Sequence, residues 1–162
     1  MRKAASRFLL TRAMFAAASF LVAASAGAAI GAAPDACALI STAQVSSALG
    51  VTVNPGKATL PGACQWDQPG KPGESLWTLR VNFADKDRWK LAATTPQPGV
   101  TITPVAGLGD DAFYYSRGTQ LTSLSLKKGD TAVVVRLSGG KGSIPEIEAK
   151  EKLVAQQIVN KL

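Results

Sequence analysis

Ser125-Leu126-Lys127-Lys128 fits S-x-x-K, the spacing of a serine acyl-enzyme in which a lysine lies one helical turn from the serine. Here the surrounding pattern is that of a strand, where positions i and i+3 face opposite ways. No S-D-N or K-T-G partner accompanies it. Gly107-Leu108-Gly109 before Asp110-Asp111 has the outline of a phosphate loop or a metal site. It lacks a third glycine and a following helix, so turn chemistry is the better account. Asp85 and Asp87 read as the start of a helix, and no carboxylate pair is singled out for glycosidase work. The chain contains no histidine, which excludes a Ser-His-Asp triad, a Cys-His dyad and an ordinary catalytic zinc site. No catalytic, cofactor-binding or metal-binding residue is assigned, and the chain is read as non-enzymatic.

Binding chemistry is the remaining candidate. Trp66, Trp77, Trp89, Phe113, Tyr114 and Tyr115 could line a pocket or pack across strands. Tyr114 and Tyr115 are adjacent on an expected strand, so one ring must face away from the core. Tyr114, Tyr115 and Trp89 are therefore the candidate binding surface, the outward tyrosine first. Lys127, Lys128 and Arg136 fall on neighbouring strands and could form a basic patch, but a solvated face is the better reading.

The elements that would position these residues can be read from capping and periodicity. Ser41-Thr42-Ala43-Gln44 is a capping box, and Gly50 ends a short helix over residues 42–49. Val51-Thr52-Val53 reads as a brief strand, and Cys64-Gln65-Trp66 begins a second extended piece. Residues 67–74 form a Pro- and Gly-rich hairpin loop. Trp77, Leu79, Val81 and Phe83 alternate with Thr78, Arg80 and Asn82, the mark of a strand with one buried face. Asp85 caps a short helix carrying Trp89, and 100–103 reads as a strand. Strands at 112–116, 120–127 and 132–137 follow, joined by tight turns at Arg117-Gly118 and Gly129-Asp130. Ser143 and Pro145 open a terminal helix with Ile147, Val154, Ile158 and Leu162 on one stripe and Leu153 beside it. Glu146–Lys150 and Glu148–Lys152 stand at the favourable i,i+4 spacing. The expected fold is α+β, a mostly antiparallel sheet with a short N-terminal helix and a longer C-terminal helix packed on it, helices on one face.

Residues 1–28 read as a cleavable signal peptide. Arg2, Lys3, Arg7 and Arg12 precede an apolar run and an A-x-A site at Ala26-Gly27-Ala28. The uncharged stretch 13–34 is long enough to span a bilayer, but half of it is alanine, which favours a cleaved signal over a retained anchor. Four of the 18 basic residues leave with the leader, so 14 bases face 11 acids and the net charge falls from +7 to +3. That balance gives no reason to expect nucleic acid as a partner. Membrane contact is expected only through the leader before cleavage. Residues 29–36 are then a short mature N-terminal segment, and 37–162 a single domain. The two cysteines, Cys37 and Cys64, form an even pair in an oxidising compartment and read as a disulfide. The expected location is periplasmic or secreted.

The stretch from Cys37 to Gly50 resembles the opening of a group of small exported bacterial domains of unknown function, of the actinobacterial lipoprotein type. Their pattern is a cysteine, apolar residues, Ser or Thr, and a short helix ending in Leu-Gly. Cys64-Gln65-Trp66, the element from Gly107 to Phe113 and the run from Leu124 to Val135 are similar to later motifs of the same group, in the same order. The resemblance implies a Cys37–Cys64 pair and a PsbP-like fold, and it lends no catalytic residue. The chain departs from the group in lacking a lipobox before Cys37. The function expected is a non-catalytic interaction module of the cell envelope, with an envelope protein or a small molecule as partner. The alternatives are a carrier or sensor with a pocket between sheet and helices, and a histidine-free hydrolase.

Overall fold

The computed structural model describes residues 35–95, 97–118 and 121–162. The expected leader, its cleavage site and the start of the mature segment lie outside these residues, as does Gln120.

Seven strands form one antiparallel sheet: β1 (Lys57–Leu60), β2 (Ala63–Asp67), β3 (Trp77–Ala84), β4 (Val100–Pro104), β5 (Asp111–Arg117), β6 (Leu121–Lys128) and β7 (Thr131–Gly139). Their spatial order is β1-β2-β3-β7-β6-β5-β4. Two meanders, β1 to β3 and β4 to β7, therefore meet along β3 and β7. That seam pairs every residue of β3, from Trp77↔Gly139 to Ala84↔Ala132.

Helices α1 (Thr42–Leu49) and α3 (Ile144–Val159) contribute to a core with one face of the sheet. The capping box Ser41–Gln44 forms as expected, Gln44 N–H donating to Ser41 Oγ and Ser41 N–H to Gln44 Oε1. Gly50 closes α1 at φ 71°, in the left-handed region that glycine adopts without a steric cost. At α3, Ser143 N–H donates to Glu146 Oε2 at 2.7 Å. The inward row of β3 joins Trp66, Leu124, Leu126, Val133 and Val135, Val45 and Leu49 of α1, and Val154 and Ile158 of α3. Lysines finish the helix ends: Lys150 Nζ donates to the Leu49 carbonyl, and Lys128 Nζ to the Val159 carbonyl at 2.9 Å. The Cys37–Cys64 disulfide ties the segment before α1 to β2, with the two Cα atoms 5.0 Å apart.

Two expectations are corrected. Val51–Val53 is not a strand: Val53 is buried, and its N–H donates to Ser46 Oγ at 3.2 Å. A side chain has taken the place of a ladder partner. The first strand is instead Lys57–Leu60, exposed along its whole length. The helices are not all on one face. Helix α2 (Lys86–Thr94) lies on the opposite side, where Trp89 packs with Phe113 and Ala132. It belongs to the connection that carries the chain from β3, inside the sheet, to β4 at its edge.

Candidate functional site

Among the described residues, the one helix on the outer face of the sheet, opposite α1 and α3, is α2, at one end. There Trp89 of α2 sits 5.3 Å, centroid to centroid, from Phe113, backed by Ala132, with Ala84, Ile102 and Tyr115 around them. The rest of the face mixes polar side chains with Leu60, Ala63 and Val134. Directly opposed partners on antiparallel strands share a face. The register Lys57↔Gln65, Gln65↔Arg80 and Arg80↔Arg136 therefore sets four residues in one row across β1, β2, β3 and β7. Across β6, β5 and β4 the same face continues with Ser123↔Tyr115 and Tyr115↔Ile102.

Charge on this face is uneven. Lys57, Arg80 and Arg136 are exposed. Asp67 lies on the same face beside the row, and its oxygens are occupied: Gln65 Nε2 donates to Oδ1 at 2.9 Å and to Oδ2 at 3.1 Å, and Thr78 Oγ1 to Oδ1 at 2.9 Å. The carbonyl end of Gln65 accepts from Arg80 Nη2 at 3.0 Å. A neutral amide thus stands between the aspartate and the arginine, orienting the guanidinium without neutralising it.

The structure divides the candidate rings. Tyr114 faces the helices: it is 9% exposed, and its hydroxyl donates to the Glu148 carbonyl at 2.6 Å. Burial, then the charges of Glu148 and Glu151, push its pKa up to about 12, so it stays neutral. Tyr115 is the outward ring, half-buried, its hydroxyl donating to Gln97 Oε1 at 3.0 Å. Trp89 shares that outer face but is buried beneath α2, and its Nε1 has no hydrogen-bond partner. The three candidates therefore occupy two faces. Ser125 and Lys128 are also separated by the sheet: Ser125 lies on the outer face in register with Phe113, while Lys128 reaches the end of α3. Asp110 performs turn chemistry, its Oδ2 accepting from Gly129 N–H at 2.7 Å.

One group with unusual chemistry was not anticipated. Glu151 of α3 is fully buried; its Oε1 accepts from Leu137 N–H at 2.9 Å, and its Oε2 has no partner. The β6–β7 register ends at Leu124↔Val135, and past that point the carboxyl meets the Leu137 N–H. Burial pushes its pKa up to about 8; the Leu137 hydrogen bond and Arg136 oppose this, and Glu148 adds to it. A perturbed acid is often a functional signal, but this one is enclosed on all sides. It was legible in α3: Ile147, Glu151, Val154 and Ile158 fall at i, i+4, i+7 and i+11, on one stripe.

Surface clefts occur at both ends of the fold. One of about 430 Å³ lies beside α2, with Lys86, Lys90 and Lys127 facing Asp87, Asp111 and Asp130. Another of about 500 Å³ lies between the end of α1 and the start of α3, lined by Trp77, Lys141, Glu146 and Lys150 among others. Among the described residues no group of three or more Cys, Asp or Glu side chains could hold a metal, and no helix is long and apolar enough to cross a membrane. Comparison with known proteins returned no matching family model, no similar curated protein and no similar solved structure.

Proposed function

We propose that this chain is a non-catalytic interaction domain of the cell envelope, periplasmic or secreted, which binds a protein partner through the open part of its outer sheet face. One observation carries the reading. The seven-stranded sheet is covered by α1 and α3 on one side, while on the other α2 shelters only the Phe113–Ala132 end. The uncovered remainder presents an ordered row of long polar side chains on rigid strands, which suits recognition by a second surface. The absence of histidine and the Cys37–Cys64 disulfide support a binding role outside the reducing cytoplasm. The space between sheet and helices, where a carrier would hold its cargo, is filled by Trp66, Leu79, Leu124, Val154 and Ile158. The one strongly perturbed acid is sealed from any substrate.

Photo-crosslinking tests the reading. A benzophenone side chain placed at Asn82 or Ser138 on the open face is expected to trap a discrete envelope partner in cells. The same group at Leu153, exposed on α3, is expected not to. Adducts from the helical side alone would overturn the assignment.

A further inference from the structure

Arg80 and Arg136 stand directly opposite one another across the β3–β7 seam, both exposed. Like charges at opposed positions destabilise a sheet. Elsewhere on this face the chain shows how it treats a charge: Asp67 is surrounded by Gln65 and Thr78. Arg80 receives only the neutral Gln65 carbonyl, and its neighbours in the row are Arg136 and, beyond Gln65, Lys57. Three cations therefore lie in line across four strands.

We infer that this row is a docking site for an acidic, extended peptide segment of the protein partner, with the paired guanidiniums of Arg80 and Arg136 gripping its carboxylates. The inference rests on the proposed interaction role and names the chemistry of the partner. Arginine favours this use because its planar fork takes carboxylates bidentately. Spacing supports an extended chain. Strands about 4.8 Å apart place Lys57 roughly 14 Å from Arg136. An extended peptide carries three same-side residues, at i, i+2 and i+4, over about 13 Å. Three alternating acids thus span the length of the row, whose cations fall at roughly 0, 10 and 14 Å because Gln65 holds the β2 position, and the partner's carboxylates remove the repulsion between the two arginines.

The test is direct binding to the purified disulfide-intact domain, by fluorescence anisotropy. The probe is a labelled peptide of alternating serine and glutamate with three glutamates. A glutamine-for-glutamate peptide, a peptide with its three glutamates contiguous, and polygalacturonate are compared with it. The expected result is saturable binding that weakens at least about tenfold with glutamine and with Arg80→Gln or Arg136→Gln, and falls steeply with salt. The contiguous peptide should bind several-fold more weakly than the alternating one. The Gln variants must melt no lower than the wild type, which separates lost binding from lost fold. No saturable binding at ~1 mM peptide, binding indifferent to both arginines, or equal Arg-dependent binding of polygalacturonate would each overturn the inference. If peptide binding fails while crosslinks at Asn82 and Ser138 persist, the interaction role stands and only the acidic character of the partner falls.

Discussion

On the face of the sheet under α1 and α3, Trp66, Leu79, Val81, Leu124 and Val135 are sealed from water. On the other face the same strands carry Gln65, Arg80 and Arg136, with an apolar cluster under Trp89 and scattered apolar residues such as Ala63 and Val134. Strand geometry alone accounts for the alternation, because neighbouring residues point to opposite sides. What differs is the cover. Two helices on one side make burial the dominant force, and a single short helix on the other leaves Lys57, Arg80, Arg136 and Ser138 exposed. Exposed positions are where a row of three cations can persist.

The two tryptophans that mark the faces should separate most widely. Trp66 is 1% exposed within the large cluster, and Trp66→Ala is expected to cost about 3–5 kcal/mol. Trp89 belongs to a cluster whose other buried members are Phe113 and Ala132, and its unpartnered Nε1 already works against the fold. Trp89→Ala is expected to cost about half as much, with helicity lost from α2 ahead of global unfolding. Urea titrations followed by far-ultraviolet circular dichroism would measure both. Equal losses would mean that the α2 patch is a second true core.

The covered face also holds the covalent tie. Cys64 is fully buried, and the bridge to Cys37 closes a loop across a sequence separation of 27. Chain entropy assigns such a loop about 3–4 kcal/mol. Replacing both cysteines by alanine should lower stability by roughly that amount and loosen the start of α1 first. Hydrogen exchange that reports uniform loosening of both faces would show that the bridge serves the whole sheet.

Most of the covered face could be read in advance. Trp77–Phe83 alternates plainly, and Ser41–Gln44 and Ser143–Glu146 announce two helix starts. The failures have physical causes. Lys57–Leu60 carries no alternation because an exposed edge strand needs none. Val51–Val53 has strand-forming residues, yet Ser46 claims the Val53 N–H. Which face α2 takes depends on how the chain crosses from β3 to β4, and no local pattern encodes that crossing. The Arg80–Arg136 apposition depends on pairing between strands far apart in sequence, so Arg136 groups with Lys127 and Lys128 in the sequence and its pairing with Arg80 goes unread. Glu151 was legible but disguised, since an apolar stripe is found by counting apolar residues and a charged one on it is passed over. In the expected Glu146–Lys150 pair, Glu146 accepts from Ser143 in the capping box and Lys150 donates to the Leu49 carbonyl, so the two act on each other only through charge.

Glu151 is the polar exception on the apolar face and makes that face sensitive to pH. Its folded-state pKa is raised to about 8, above an unfolded value of about 4.3. Between these values the folded chain holds one more proton than the unfolded chain, so stability falls as pH rises. The slope is about 1.4 kcal/mol per pH unit over that window and flattens above it. Tyr114, at about 12, does not titrate there. Glu151→Gln keeps the shape and an acceptor for the Leu137 N–H while removing the charge. The variant is expected to lack this part of the slope and to exceed the wild type at pH 8. Urea midpoints at pH 5, 6.5 and 8 would measure it, and parallel profiles would show that the carboxyl reaches water.

The smallest effect tests the open face. If Arg80 and Arg136 repel one another, Arg136→Gln should raise stability by a few tenths of a kcal/mol at low salt. Arg80→Gln should do nearly the same, less the hydrogen bond to Gln65. The double variant should gain little beyond either single one, since removing one charge already ends the repulsion, and the shortfall in this cycle isolates the pair. The coupling should shrink at 0.5 M salt, where screening falls to a few ångströms. A stability deficit at this exposed seam would mark a charge arrangement that folding does not require, as the proposed docking row expects. Full additivity at low salt would mean that the two guanidiniums splay apart, and the open face would then lose the pair that most distinguishes it from an ordinary solvated surface.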